Sequence, residues 1–272
     1  MTSTHVPYKD NSKTIDSYVR EHLTGHEALY DLDIERLRDA RPDVVISQAL
    51  CDVCAVATGD VLEAIHSLPS TPVLIDLEPN TLDDVLDDIL RVGEQLEARE
   101  ASEKLVANLR ARRDRIAART ASIPMSERPR VVFLEWLYPP FNGGHWNPEL
   151  VELAGGIDLL GEPGKPSSTQ TWETIVDAEP DVLFIACCGF RVERALEDVQ
   201  EIGQTDAWQK LPAVRNGRVY MSDGNAYFSC PGPRLIDGLE IMAHALHPKL
   251  HAEPSSGACH IVSQHRSRYS IA

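Results

Sequence analysis

Two cysteines, Cys51 and Cys54 in "SQALCDVCAV", follow directly on an apolar run. Thiols at that spacing can hold a soft metal ion, cycle as a redox pair, or wall a binding pocket. A structural zinc site needs about four well-spaced ligands, and no second CxxC lies downstream. Ligands from elsewhere in the chain would have to complete one. The residues suited to that are His145 in "NGGHWN" and Cys188 in "IACCGF". Cys51, Cys54, His145 and Cys188 therefore form one candidate set of soft metal ligands, with the metal undefined.

A different chemistry is written into "FLEWLYPPFNGGHWNPELVELAGG", residues 133–156. Trp136, Tyr138, Phe141 and Trp146 surround a Gly143–Gly144 turn, with Glu135 and His145 among them. So many aromatics around a glycine turn suit a flat ligand better than a sheet cap. Two further stretches fit the same pocket. "IACCGFRVERALEDV" offers Cys188 and Phe190, with Cys187 read as a small packed residue and Arg191, Glu193 and Arg194 as a solvated helix face. "VYMSDGNAYFSCPGPRLIDGLEIM" offers Asp223, Tyr227 and Phe228 beside two glycines. Asn147 is expected to cap a helix opening at Pro148. There is no GxSxG elbow, P-loop or GxGxxG at a strand–helix junction, so the expectation is binding without catalysis.

The elements that must position these residues alternate. Buried-strand runs at 43–47, 72–77, 130–136, 181–187 and 218–223 are separated by amphipathic stretches at 31–40, 60–68, 148–154, 171–178 and 190–202. That rhythm predicts an α/β fold with an open, mostly parallel sheet in each of two lobes. "DARPDVVIS" recurs 138 residues later as "DAEPDVLFI", and each copy leads into cysteine. Two lobes of one topology would put both cysteine loops at the C-terminal strand ends, where open α/β sheets bind ligands. The strand at 131–136 has no counterpart at that offset, so the first lobe is expected to be incomplete. Residues 81–121 hold no proline and one glycine, open on Thr81 with Asp83 and Asp84, and end rich in arginine. They predict one helix of up to roughly 60 Å joining the lobes. The expected organisation is an N-terminal lobe (1–80), this helix (81–121), a C-terminal lobe (122–250) and a disordered tail (251–272).

A net charge of −16 argues against nucleic acid as a partner, and no apolar stretch approaches a membrane span. "MTSTHVPYKDNSK" lacks an export signal, which places the chain as written in the cytoplasm, or outside it if a leader has been lost.

"RPDVVISQALCDVCAV", "FLEWLYPPFNGGHWNPELVELAGG", "PDVLFIACCGF" and "GRVYMSDGNAYFSCPGPRLIDGLEI" together resemble the cobalamin-binding branch of the iron-siderophore/B12 substrate-binding proteins. These are the class III, helical-backbone receptors of ABC importers. The resemblance runs from about residue 12 to residue 248. It implies two periplasmic-binding-protein-like, Rossmann-like lobes joined by one long helix. It also implies a cobalamin or related corrinoid held without catalysis between the lobes, and an ABC importer permease as partner. Carried over by position, Cys51 and Cys54 would line the cleft from the first lobe. Glu135, Trp136, Phe141, His145, Trp146, Cys188, Phe190, Asp223, Tyr227 and Phe228 would line it from the second. The family's opening strand and export leader are missing from this pattern.

Overall fold

The computed structural model describes residues 2–7, 10–24, 29–48, 56, 58–254, 258–265 and 268–271. Cys51 and Cys54 lie outside them. The chain divides into two compact units, Met1–Pro79 and Asn80–Ala272.

The first unit runs β1 (Thr2–Thr4), α1 (Ser12–Thr24), β2 (Tyr30–Leu32), α2 (Ile34–Ala40), β3 (Val44–Gln48), α3 (Thr58–His66) and β4 (Val73–Leu77). β3 and β4 pair in parallel, Ile46 opposite Ile75, while β1 and β2 form a separate antiparallel pair. A small core of Val56, Val61 and Ile65 packs with Tyr30, Leu32, Val45 and Leu74. Among the described residues β3 has no strand on its other edge. Ile46 there is 49% exposed.

The second unit carries α4 (Leu82–Gln95), α5 (Arg99–Thr120), β5 (Arg130–Leu137), β6 (Pro140–Asn142), α6 (Asn147–Leu153), β7 (Ile157–Asp158), α7 (Trp172–Asp177) and β8 (Val182–Ile185). It continues with α8 (Val192–Ile202), α9 (Asp206–Lys210), α10 (Pro212–Arg215), β9 (Val219–Met221), α11 (Gly224–Tyr227), α12 (Leu235–Leu246), β10 (His260–His265) and β11 (Arg268–Ile271). β5, β8 and β9 lie side by side in parallel, and β7 runs parallel to the start of β5. Residues 131–134 and 182–185 are fully buried, as continuous apolar runs covered on both faces should be. The strand–helix alternation expected from sequence is thus the observed α/β fold.

Two expectations are corrected. The single helix over 81–121 is a hairpin of two. α4 opens on a capping box in which Thr81 and Asp84 satisfy each other's backbone N–H groups. It closes after Gln95 with Glu97 at φ 56°, the Ala98 N–H donating to the Gly93 carbonyl and the Glu97 N–H to that of Glu94. This is the left-handed cap that ends helices, built here on a glutamate instead of glycine. The chain then doubles back, so that Arg110 meets Asp87 at 2.9 Å and Arg113 meets Asp83 at 2.6 Å. Gly93 permits the close crossing, because a Cβ there would stand 2.1 Å from Ser102 Oγ. The hairpin is fastened to the second unit. Arg112 grips Glu240 with Nε and Nη2 at 2.9 and 2.7 Å, and Glu149 accepts the Leu82 N–H at 2.7 Å.

The second correction concerns the tail. Residues 260–265 and 268–271 form β10 and β11, with β10 antiparallel to β9 and His260 opposite Met221. Tyr269 is 4% exposed and sets its ring 5.8 Å from that of Trp208. Its hydroxyl accepts from Gln209 and donates to the Gly203 carbonyl. A mostly polar segment thus joins the sheet through backbone pairing and one anchoring ring.

Gly93→Ala is expected to destabilise the second unit by about 1–3 kcal/mol through overpacking against Ser102. Adding Ser102→Gly should recover part of the loss, and urea unfolding of the single and double variants measures it.

Candidate functional site

The C-terminal ends of β5, β8 and β9 deliver three loops to one edge of the sheet, at 136–147, 186–191 and 222–234. In open α/β sheets this edge is where ligands bind. β5 and β6 form an antiparallel hairpin through Tyr138–Pro139, and its register slips between Leu134 and Trp136. Glu135 is therefore the extra residue of a bulge, a device that re-aims the side chains beside it. Trp136 stands directly opposite Phe141 on the neighbouring strand.

Trp136 is partly exposed, and its ring lies 4.9 Å from that of Phe190. The guanidinium of Arg194 on α8 sits 4.5 Å from the centre of the Phe190 ring. It also lies 3.4 Å from the carboxylates of Glu197 and Asp198. Tyr138 borders this group, and its hydroxyl pKa is pushed up to about 12, mainly by burial and then by Glu201 and Asp198. Across the edge, Arg234 stacks 4.5 Å over Tyr227. Phe190 was expected to line the cleft, but at 6% exposure it backs Trp136 from below, and the partly exposed rings are Trp136, Tyr138 and Tyr227. Each of the two cation–ring pairs is worth roughly 0.5–2 kcal/mol. Arg194 was expected on a solvated face. Phe190 lies in the loop just before α8, and the first turn of that helix carries Arg194 back over its ring.

The glycine turn serves packing. A Cβ on Gly144 would lie 2.2 Å from the Ser167 nitrogen, and one on Gly143 2.7 Å from the Phe133 ring. His145 follows with φ 53°, its N–H donating to the Lys165 carbonyl at 2.6 Å and its carbonyl accepting from Gly164. The imidazole Nδ1 is buried with no hydrogen-bond partner, and burial lowers the ring's pKa. Glu135 accepts from the Gly144 N–H at 3.1 Å and from Asn147 Nδ2 at 3.3 Å. Burial raises its pKa, while hydrogen bonds from Ser167, Gly144 and Asn147 pull it back. Asn147 thus ties α6 to Glu135. It does not cap the helix, whose N-cap position is Trp146 with no side-chain bond.

Several expected contacts take other roles. Trp146 and Phe228 are 3% and 1% exposed and belong to the core, the indole N–H of Trp146 donating to the Phe228 carbonyl at 2.7 Å. They do not line an open surface. Asp223 spends its carboxylate accepting the Ala226 N–H at 2.8 Å, so it shapes the loop. Cys187 is buried, as read, and its thiol is pushed well up by burial. Cys188 is partly exposed, with its N–H on the Glu135 carbonyl at 2.8 Å. Cys230 lies near it, its thiol raised by burial and then by Cys188 and Asp223. No cluster of three or more His, Cys, Asp or Glu suited to a metal ion occurs among the described residues. Cys51 and Cys54, the other two members of the expected ligand set, lie outside those residues.

The raised Glu135 pKa carries a sign. The folded state holds this proton more tightly than the unfolded chain, so Glu135's contribution falls as pH rises through the acid range. Above the folded pKa it becomes constant. Subtracting the stability–pH curve of Glu135→Gln from that of the wild type should leave a component that decreases with rising pH. A flat or rising difference would contradict it.

Comparison with known proteins adds the lineage. A Vitamin B12-binding protein of Vibrio cholerae serotype O1 is 23% identical over 229 residues, covering 81% of this chain and 72% of its own. The fold matches an ABC transporter substrate-binding protein from Listeria monocytogenes with a TM-score of 0.67 at 21% identity, over 80% of this chain and 81% of the other. It matches a periplasmic heme-binding protein from Pseudomonas aeruginosa with a TM-score of 0.65 at 19% identity, over 81% and 77%. The family model described as "Periplasmic binding protein" matches residues 2–226. With that match spanning most of the chain, strand ends and glycine turn included, the protein belongs to the periplasmic binding protein family.

Proposed function

We propose that this chain is a receptor for a corrinoid such as cobalamin, binding without catalysis and working outside the cytoplasmic membrane with an ABC importer permease. The observation that carries this reading is the partly exposed ring of Trp136, backed by the buried ring of Phe190 and flanked by Tyr138 and Tyr227, at the C-terminal strand ends. A flat macrocycle buries much area on such a surface with little side-chain entropy to lose. The Vibrio cholerae relative named for vitamin B12 supports the same reading.

Charge favours a corrinoid over a heme. The chain carries −16 overall, and Glu197, Glu201 and Asp198 stand around the aromatic group. Arg194 is already shared with two carboxylates, and Arg234 reaches Asp237 at 4.0 Å. A macrocycle edged with neutral amides fits this field better than one carrying free propionates. Stacking, not coordination, is the expected mode, since His145 keeps its Nδ1 buried.

Titration with aquocobalamin should quench tryptophan fluorescence and saturate at one equivalent. Trp136→Ala should weaken binding by about tenfold or more, the worth of one well-packed aromatic anchor. Hemin should bind more weakly than the corrinoid. No spectral change at saturating ligand would sink the proposal. A shift to an imidazole-ligated corrin spectrum, lost in His145→Ala, would replace stacking by coordination.

A further inference from the structure

The arginines of α5 fall into two groups. Arg99, Arg110, Arg112 and Arg113 each meet a carboxylate. Arg115 and Arg119, one turn apart on the same helix, have no ion pair or side-chain hydrogen bond among the described residues. In a chain with 42 acidic and 26 basic residues, that is a departure. Like charges four apart on a helix repel each other, and only part of that is offset by the helix C-terminus. Both arginines line a groove of about 360 Å³ between α5 and the segment after α12.

His251 lines the same groove. It is 5% exposed, its N–H donates to the His247 carbonyl at 3.0 Å, and its Nε2 is buried with no partner. A buried polar nitrogen left unsatisfied is costly and calls for an explanation. The charged and titratable groups around it are Arg119, His247 and His244, which together with burial lower its pKa, and Arg112, Arg115, Glu240 and Glu253 along the groove. Arg112 is shared by Glu240 and Asp237. Beside that group stand the guanidiniums of Arg115 and Arg119 and an imidazole whose Nε2 has no partner, with the Glu253 carboxylate along the same groove.

We infer that Arg115, Arg119 and His251 form a binding site for a small free oxyanion of the phosphate or sulfate class, separate from the aromatic surface. Guanidinium forks suit tetrahedral oxyanions, and an imidazole donor completes the shell once protonated. The groove lies toward the N-terminal edge of the sheet, since α5 leads into the start of β5 and His247 bonds the Gly155 carbonyl before β7. The aromatic surface is at the opposite edge. Glu253 and the net charge of −16 set the site against an anionic bilayer and for a free ion.

Sulfate is the probe of choice, because its charge does not change between pH 6 and 8. Calorimetric titration of the full chain with sodium sulfate, against sodium chloride at matched ionic strength, should show saturable one-to-one binding. Arg115→Ala and Arg119→Ala, both exposed and so safe for folding, should each weaken it about tenfold, the worth of a charge-assisted hydrogen bond. Affinity should fall from pH 6 to pH 8 in the wild type. His251→Gln, checked by circular dichroism, should remove that fall. Vesicles containing phosphatidylglycerol should not bind. Sulfate heats equal to those of chloride, unchanged affinity in both arginine variants, or binding to vesicles without binding to sulfate would each overturn the assignment.

Discussion

Beneath the candidate surface, Phe133 on β5, Phe184 on β8 and Phe228 after α11 pack as a triangle with ring centres 5.3–5.5 Å apart. Each comes from one of the three segments that carry the functional loops, so this one contact fixes the loops to one another. All three rings are buried to within 1%. Burying each stabilises the fold by roughly 1.5–3 kcal/mol, and truncating one would cost about 3–5. The glycine turn depends on the same triangle, because Gly143 lies against the Phe133 ring and Trp146 bonds the Phe228 carbonyl. Phe228 and Trp146 make the strand ends rigid, while Trp136 and Tyr227 stay partly exposed on them.

The helical hairpin extends that rigidity to the back of the second unit. α4 and α5 close on each other because Gly93 lets Ser102 approach, and α5 is held to α12 by Arg112. Thr120 adds a bond from its hydroxyl to the Leu153 carbonyl of α6 at 2.8 Å. α6 in turn opens beside the glycine turn and is tied to Glu135 by Asn147. A continuous set of packed elements therefore runs from the hairpin to the strand ends. Bulge, turn and helix each restrict the others, which suits a receptor whose site must be preformed.

Much of this was legible in the sequence. The parallel strands announced themselves as unbroken apolar runs at 130–136 and 181–187, because strands covered on both faces have no polar alternation to hide them. The start of α4 was legible because Thr81 and Asp84 satisfy a local rule. The reversal at Leu96–Ala98 was not, because its left-handed residue is Glu97 and the single glycine serves a crossing. The tail was read as disordered because edge strands draw on backbone pairing and need few apolar side chains, here chiefly Val262 and Tyr269. At the candidate site, the presence of four aromatics around a turn does not say which rings face inward. That depends on the bulge at Glu135, which shifts the facing of the residues around it and has no marker in composition.

Electrostatics separates the two ends of the second unit. At the strand ends the guanidiniums lie flat on rings and near carboxylates, so their charge is spent locally and the surface offers aromatic area to a neutral, flat molecule. At the other edge Arg115 and Arg119 form no ion pair among the described residues and stand beside a buried imidazole, with Glu253 along the same groove, so charge is what that groove offers. In a chain with net charge −16, uncompensated arginines are not explained by general solubility, which the acidic surface already supplies. Nor does stability explain them, since two arginines at four-residue spacing repel. A neutral macrocycle at one edge and a small oxyanion at the other would place little charge on each other across the sheet. A mutation at one edge should then leave the electrostatics of the other in place.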